Sequence, residues 1–384
     1  MSTTTPTTMK VWVYSSRGSP RAVLRLTSRP APSAPTGTQV LIKVHYSALN
    51  LIGTLLMKLI PSVFVSTWGA PELDFSGEIV AAGPDAPTAL TEPGTPVWGT
   101  KLIPSVLKDH AGTLAEYVKV DSSTVAPLPK VLSAEEASGL AVVGSTAIQM
   151  LDQAGVTSGD RILVNGASGG VGTILVQLGK AMGLNITGIC SGSNVNAVKE
   201  LGANEVLDYR KAEPDLPRYL AARVTSNPFD AILDCVGAQD MYKASPSFLK
   251  ARGKYINVGS MGGLSKVFYQ CVNNELRPTW LGGTPRKWMF MAAEPSPKTM
   301  DQLRQHAEEG NLKCLVDSTY KMEDALEVCE LLRRINNAAF VFSFDGVSNG
   351  YCNLFFWNLF SFIDADDRFR HMTSYSHIVH GARS

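Results

Sequence analysis

Between residues 166 and 172 the chain reads Gly166-Ala167-Ser168-Gly169-Gly170-Val171-Gly172. Glycines at this spacing suit one kind of chemistry, the holding of a phosphate by backbone amides. Gly166 can make a tight turn, Gly169 lets the backbone approach a pyrophosphate, and Gly172 permits close helix–strand packing. Ser168, Gly170 and Val171 complete the same turn. A helix opening here adds free N–H groups and a partial positive charge. Ala167 stands where the usual fingerprint has its first glycine. The plain alternative is a glycine-rich turn that binds nothing.

The flanking elements are those such a cradle needs. Residues 162–164 read as a buried strand. Residues 171–182 read as a helix, with Ile174, Leu175, Leu178 and Met182 at helical spacing. Residues 185–190 read as the next strand. An NAD site carries an acid near the end of that strand, about 20 residues past the glycines. Here the chain runs Cys190-Ser191-Gly192-Ser193-Asn194, without an acid. Ser191, Ser193 and Asn194 can donate to a ribose 2′-phosphate, with Lys199, Tyr209 and Arg210 as further candidates. The pattern therefore favours NADPH over NADH. Ser and Asn are also good helix N-caps, and that reading stays open for some of them.

The run from residue 159 to 209, with its Ser191-Gly-Ser-Asn194 motif, resembles the zinc-free quinone oxidoreductase branch of the medium-chain dehydrogenase/reductase superfamily. It is most similar to the enone and alkenal reductases. The resemblance covers roughly residues 10–345, most of the chain. It implies an α/β protein with a GroES-like β-rich catalytic domain and a Rossmann domain, a doubly wound parallel sheet. The expected organisation is a polar tail at 1–9, the catalytic domain at 10–132, the NADP-binding domain at 133–283, a return to the catalytic domain at 284–346, and a divergent aromatic tail at 347–384.

Composition excludes other classes. The 384 residues carry a formal net charge of +1, which gives no electrostatic case for nucleic acid or an anionic membrane. The six cysteines show no CxxC and no paired spacing, as expected of reduced thiols in a cytoplasmic protein. The N-terminus lacks the charged and apolar regions of a secretory signal. The aromatic run at 351–363 is too short to span a membrane, which takes about 20 apolar residues. It is read as a packing or homodimer element, as a docking segment, or as sequence without a selected role.

Residues 10–130 read as all-β, with short runs at 11–14, 22–26, 39–46, 76–82, 96–98 and 114–120. The resemblance places family anchors at Tyr46-Ser-Ala-Leu-Asn50, Glu72-Leu-Asp-Phe-Ser-Gly77 and Gly112-Thr-Leu-Ala-Glu-Tyr117. A catalytic zinc needs three converging Cys, His or carboxylate ligands. No cysteine precedes residue 190, and Leu73-Asp74-Phe75 replaces the Gly-His-Glu turn of the zinc enzymes. His45 and His110 read as structural. No metal is expected, which argues against alcohol dehydrogenation and for hydride delivery to an already electrophilic carbon.

Asn50 is the candidate to hold a substrate carbonyl as negative charge develops; its alternative is a turn residue. Relatives often carry an Asp where Gly53 stands, and some a Tyr near Leu55. The apolar stretch 57–68 reads as a hydrophobic substrate mouth or a divergent loop. Ser133-Ala-Glu-Glu136 is a capping box that starts a helix, and 137–154 is helical in pattern. The resemblance puts Thr146 near the nicotinamide, although a Thr within a helix usually bonds back to the preceding turn. Strand–helix alternation from 161 to 283 predicts a parallel sheet, with Cys235, Val236 and Gly237 ending one strand and Val258, Gly259 and Ser260 ending the next. Helices are expected at 301–309 and 322–334, and strands at 311–320 and 338–343. The implied reaction is NADPH-dependent reduction of an enone, enal or quinone. A trans-acting enoyl reductase and a non-catalytic NADPH-binding protein are the alternatives.

Overall fold

The apolar run at residues 162–164 lies at the centre of a six-stranded parallel sheet in a computed structural model of the chain. The structure describes residues 6–50, 53, 57, 69–212, 215–224, 226–259, 263–292, 294–329 and 339–343. The stretch 58–68, Leu51, Ile52, Leu55, Ser260, the end of the helix expected at 322–334 and the tail 347–384 lie outside the described residues.

The N-terminal strands are β1 (Thr8–Val13), β2 (Arg25–Pro30), β3 (Gln39–Leu49), β4 (Asp74–Ala82), β5 (Pro96–Thr100), β6 (Tyr117–Asp121) and β7 (Val125–Pro127). The parallel sheet holds β8 (Arg161–Asn165), β9 (Asn185–Cys190), β10 (Glu205–Asp208), β11 (Phe229–Asp234), β12 (Leu249–Asn257) and β13 (Lys287–Phe290). β14 (Val316–Lys321) and β15 (Ala339–Ser343) follow. The parallel order is β10-β9-β8-β11-β12-β13, so the winding reverses between β8 and β11. A ligand crevice opens at such a reversal, outside the carboxyl ends of the strands.

Strand period two explains the layering. Ile162 and Val164 of β8 join one core with the helices on one face of the sheet, while Leu163 joins a second core on the other. Both faces are covered, so the strand is apolar throughout. The other large sheet runs β14-β15-β3-β4-β5-β7, with β6 also paired to β3. β15 pairs antiparallel with β3 at Ala48 and Leu49, so the C-terminal strands complete the N-terminal sheet beside Asn50.

Three expectations need correction. Residues 22–26 are not one strand. Pro20–Val23 is a short helix, with Pro20 in its first turn and Leu24 N–H closing on Pro20 O at 2.8 Å. Proline presets helical φ there, and β2 starts only at Arg25. The segment 137–154 is not one helix either. The capping box is present at Ser133 and Glu136, but that helix, α1 (Ala134–Ser138), stops at Gly139, and α2 (Ala141–Ala154) starts afresh. Finally, the parallel sheet continues past residue 283. The register pairs Tyr255–Trp288 and Asn257–Phe290 join β12 to β13, where Trp288 is buried and stacks on Phe290 at 6.4 Å.

Candidate active site

β8 runs into the glycine turn, and the turn into α3 (Gly170–Ala181). Gly166 has φ +81°, a left-handed conformation that favours glycine. The N–H groups of Gly166 and Ala167 both donate to Ile189 O, at 3.1 and 2.9 Å, and pin the turn to the end of β9. A Cβ on Gly172 would collide with Gly166 O and Ala167 Cα, so the helix can approach the strand only with glycine there. Gly169 is the N-cap, and no side chain caps the first turn. Uncapped first-turn amides, a dipole end and half-exposed Gly169, Gly170 and Val171 fit the pyrophosphate of a dinucleotide.

At the end of β9 a polar chain links the two turns. Ser191 Oγ meets Ser193 Oγ at 3.1 Å, Ser193 Oγ donates to Asn194 Oδ1 at 3.1 Å, and Asn194 Nδ2 donates to Ser168 Oγ at 3.0 Å. Ser191 and Asn194 are fully buried, whereas Ser193 is exposed. Of these three candidates for a 2′-phosphate, Asn194 spends its buried amide on bracing the glycine turn, as a buried amide must satisfy its own polar atoms. Ser193 remains open to solvent. Arg210 lies over the Tyr209 ring at 5.8 Å. The fold also supplies an acid the local sequence lacks. A Cβ on Gly192 would stand 2.5 Å from Asp208 Oδ2, so the end of β10 brings a carboxylate against this turn.

The turn after β11 is organised by a residue that the sequence reading passed over. Asp234 closes β11 and is fully buried. Its Oδ1 accepts from Asn165 Nδ2 (2.8 Å), Val236 N (2.9 Å) and Gly237 N (3.0 Å), and its Oδ2 from Ala238 N (2.8 Å) and Tyr255 Oη (2.7 Å). Five donors hold one carboxylate and shape the turn from Cys235 to Ala238. Burial and the Asp234 charge push the Tyr255 hydroxyl well above its ordinary range, which keeps it a donor. The only sequence signal was an acid ending an apolar run.

Cys235, Val236 and Gly259 gather round Gly166. A Cβ on Gly166 would touch Val236 Cγ2 and Cys235 Cβ, and one on Gly259 would strike Cys235 O. Gly237 has φ +83°. Val258 N–H donates to Asp234 O at 3.1 Å, and Gly259 N–H to Asn257 Oδ1 at 2.9 Å. Burial and the Asp234 carboxylate raise the Cys235 thiol, so it is no thiolate nucleophile.

The N-terminal lobe contributes Asn50 at the end of β3, half-exposed, its N–H donating to Glu72 Oε2 at 2.8 Å. Asp74 Oδ2 accepts from Val142 N at 3.2 Å and so caps the opening of α2. Burial raises Asp74 to about 7, against the lowering effect of the Val142 N–H and of the nearby Thr100 hydroxyl. Thr146, on the same helix, is buried and donates its hydroxyl to Val142 O at 2.7 Å. This is the back-bond usual for a Thr within a helix. Among the described residues, no hydrogen bond joins Asn50 or Thr146 to the glycine turn. Val143, on α2, does reach it: a Cβ on Gly170 would lie 3.3 Å from Val143 Cγ1. Among the described residues no group of three or more His, Cys, Asp or Glu is placed to hold a metal, and no helix is long and apolar enough to cross a membrane.

A family profile described as zinc-binding dehydrogenase matches residues 170–288. The medium chain reductase pydE of an Acremonium species is 36% identical over 347 residues, covering 84% of this chain and 95% of the relative. The trans-enoyl reductase poxH of Penicillium oxalicum is 33% identical over 369 residues, covering 85% and 94%. The structure of the quinone oxidoreductase from Coxiella burnetii superposes with a TM-score of 0.72 at 26% identity, covering 88% of this chain and 99% of that one. With the reversed parallel sheet, the glycine turn at its crevice and kinship over nearly the whole length of these reductases, the chain belongs to the medium-chain dehydrogenase/reductase family.

Proposed function

We propose that this chain is an NADPH-dependent, zinc-independent reductase of α,β-unsaturated carbonyl compounds or quinones. The observation that carries the reading is the crevice where the uncapped first turn of α3 meets the Asp234-braced turn at Cys235–Gly237. The glycine turn and the first amides of α3 hold the pyrophosphate. Ser193 and Arg210 face the 2′-phosphate. The turns at Val236–Gly237 and Val258–Gly259 hold the nicotinamide end. When bound, the dinucleotide supplies a hydride. Asn50 orients the acceptor carbonyl and donates to its oxygen as charge builds there. Zinc independence is supported by the absence of any cysteine before residue 190 and by Leu73-Asp74-Phe75.

The test is NADPH oxidation against a 2-alkenal, a cyclic enone, a quinone and a simple ketone. Turnover of the first three without the ketone is expected. Turnover of the ketone alone would overturn the reading. A second reading, a trans-acting enoyl reductase that takes its enoyl group as a thioester, is favoured by the likeness to poxH. Preference for an enoyl thioester over the free enone would select it. Tight NADPH binding without turnover of any acceptor would instead select a non-catalytic role.

A further inference from the structure

Glu72 is a buried acid with no part in the reaction outlined above. It is 1% exposed and has φ +72°, a left-handed backbone that non-glycine residues rarely adopt. Backbone strain of this kind persists only where the surroundings enforce it, and here they enforce the placement of a carboxyl. Glu72 Oε2 accepts the Asn50 N–H at 2.8 Å, while Oε1 is buried with no hydrogen-bond partner among the described residues. The carboxyl fills the space beside Gly53: a Cβ on that glycine would overlap Oε1, Cδ and Oε2. The missing side chain at 53 and the unexpected acid at 72 are therefore one arrangement.

We propose that Glu72 is a positioning residue of the active site, its carboxyl fixing Asn50 at the end of β3 from behind, in the space that a side chain at Gly53 would take. The inference rests on the reading of Asn50 as the group that meets the substrate carbonyl. Among the described residues, the groups facing Glu72 are Asn50 after β3, Tyr14 after β1, Asp74 from β4 and Cys329 from the C-terminal segment, and none of these is a cation. Burial raises Glu72 to about 8, with the Asp74 charge adding to the rise and the Asn50 N–H opposing it. The neutral acid leaves charge free to build on a carbonyl oxygen held by Asn50. The ionised acid opposes that charge from behind.

Two readouts test this on the full chain. The first is amide hydrogen exchange at residues 47–50, without substrate, in wild type, Glu72→Ala and Glu72→Gln. Loss of the acceptor is expected to speed exchange there by about tenfold in the Ala variant, the equivalent of one hydrogen bond, and Gln is expected to restore protection. The second is the pH profile of kcat and KM with the enone. Wild-type kcat is expected to decline as pH rises through about 8. Glu72→Gln should recover most of the rate lost in Glu72→Ala and show no such decline. Unchanged exchange in Glu72→Ala, or the same alkaline decline in wild type and Glu72→Gln, would overturn the proposal. If wild type turns over no acceptor, the functional reading of Asn50 fails, and the exchange measurement decides the positioning by Glu72 without it.

Discussion

Tyr255 Oη donates to Asp234 Oδ2 at 2.7 Å, joining the ends of two adjacent parallel strands beneath the turn that carries Cys235, Val236 and Gly237. Tyr255→Phe removes one of five donors from a fully buried carboxylate. Stability should fall by about 1–3 kcal/mol. Asp234→Ala strands Asn165, Tyr255 and three backbone amides, and should cost more than Tyr255→Phe while weakening dinucleotide affinity. Urea midpoints and NADPH titration check both. An Asp234→Ala protein as stable as Tyr255→Phe would show that the turn does not depend on the carboxylate.

The glycines of the cradle separate packing from binding. A Cβ on Gly172 collides with backbone, whereas one on Gly169 meets only Gly166 O, at 3.3 Å. Gly172→Ala should therefore destabilise the fold by roughly 1–3 kcal/mol through overpacking. Gly169→Ala should cost about 1 kcal/mol or less as an N-cap change, yet lower NADPH affinity at least tenfold by blocking the pyrophosphate's approach. Melting and cofactor titration of the two variants settle the division. Equal losses of affinity without any stability difference would remove the assigned roles.

How far the site could be read from sequence depended on where each residue finds its partners. The strands of the parallel sheet announce themselves because burial on both faces demands uninterrupted apolar runs, as at Ile162–Val164 and Ala231–Leu233. The glycine turn follows from backbone geometry alone. Asp234 stayed hidden because its partners Asn165 and Tyr255 are 69 and 21 residues away. Glu72 and Gly53 likewise make sense only together. Thr146, named from the resemblance, and Asn194, named for its amide, are both buried, with bonds to Val142 O and Ser168 Oγ that local sequence does not announce. The strand expected at 22–26 starts only at Arg25, because Pro20 opens a short helix whose start outweighs the β-propensity of residues 22–24.

On the proposed reading, cofactor choice turns on opposing charges at the end of β10. Arg210 would favour a 2′-phosphate, and Asp208, which lies against Gly192, would oppose it. Arg210→Ala should weaken NADPH by about tenfold, the loss of one charge-assisted contact, with NADH nearly unchanged. Asp208→Asn should shift preference further toward NADPH. Ser193→Asp should reverse that shift, and is a cleaner probe than a change at buried Asn194. Fluorescence titration with both dinucleotides reads all three. Equal effects on NADPH and NADH would remove the 2′-phosphate assignment.

Asp74 ties β4 to the opening of α2 through Val142, and burial sets its pH behaviour. Its folded pKa, about 7, lies above the ordinary 3.8, so between these values the folded protein binds more protons than the unfolded chain. Stability must then fall as pH rises across that window and level off above it, the reverse of a salt-bridged carboxylate. Asp74→Asn keeps an acceptor for Val142 but has no charge to bury. Wild type and variant should converge near pH 4 and diverge toward pH 7, with the Asn form gaining up to about 1.4 kcal/mol per pH unit. Glu72 titrates higher and is present in both, so its contribution cancels in the comparison apart from its coupling to Asp74. Urea midpoints at pH 5, 6, 7 and 8 provide the measurement. A constant difference between the two proteins would mean that Asp74 is already ionised throughout, with its charge carried by the amide of Val142 and the hydroxyl of Thr100.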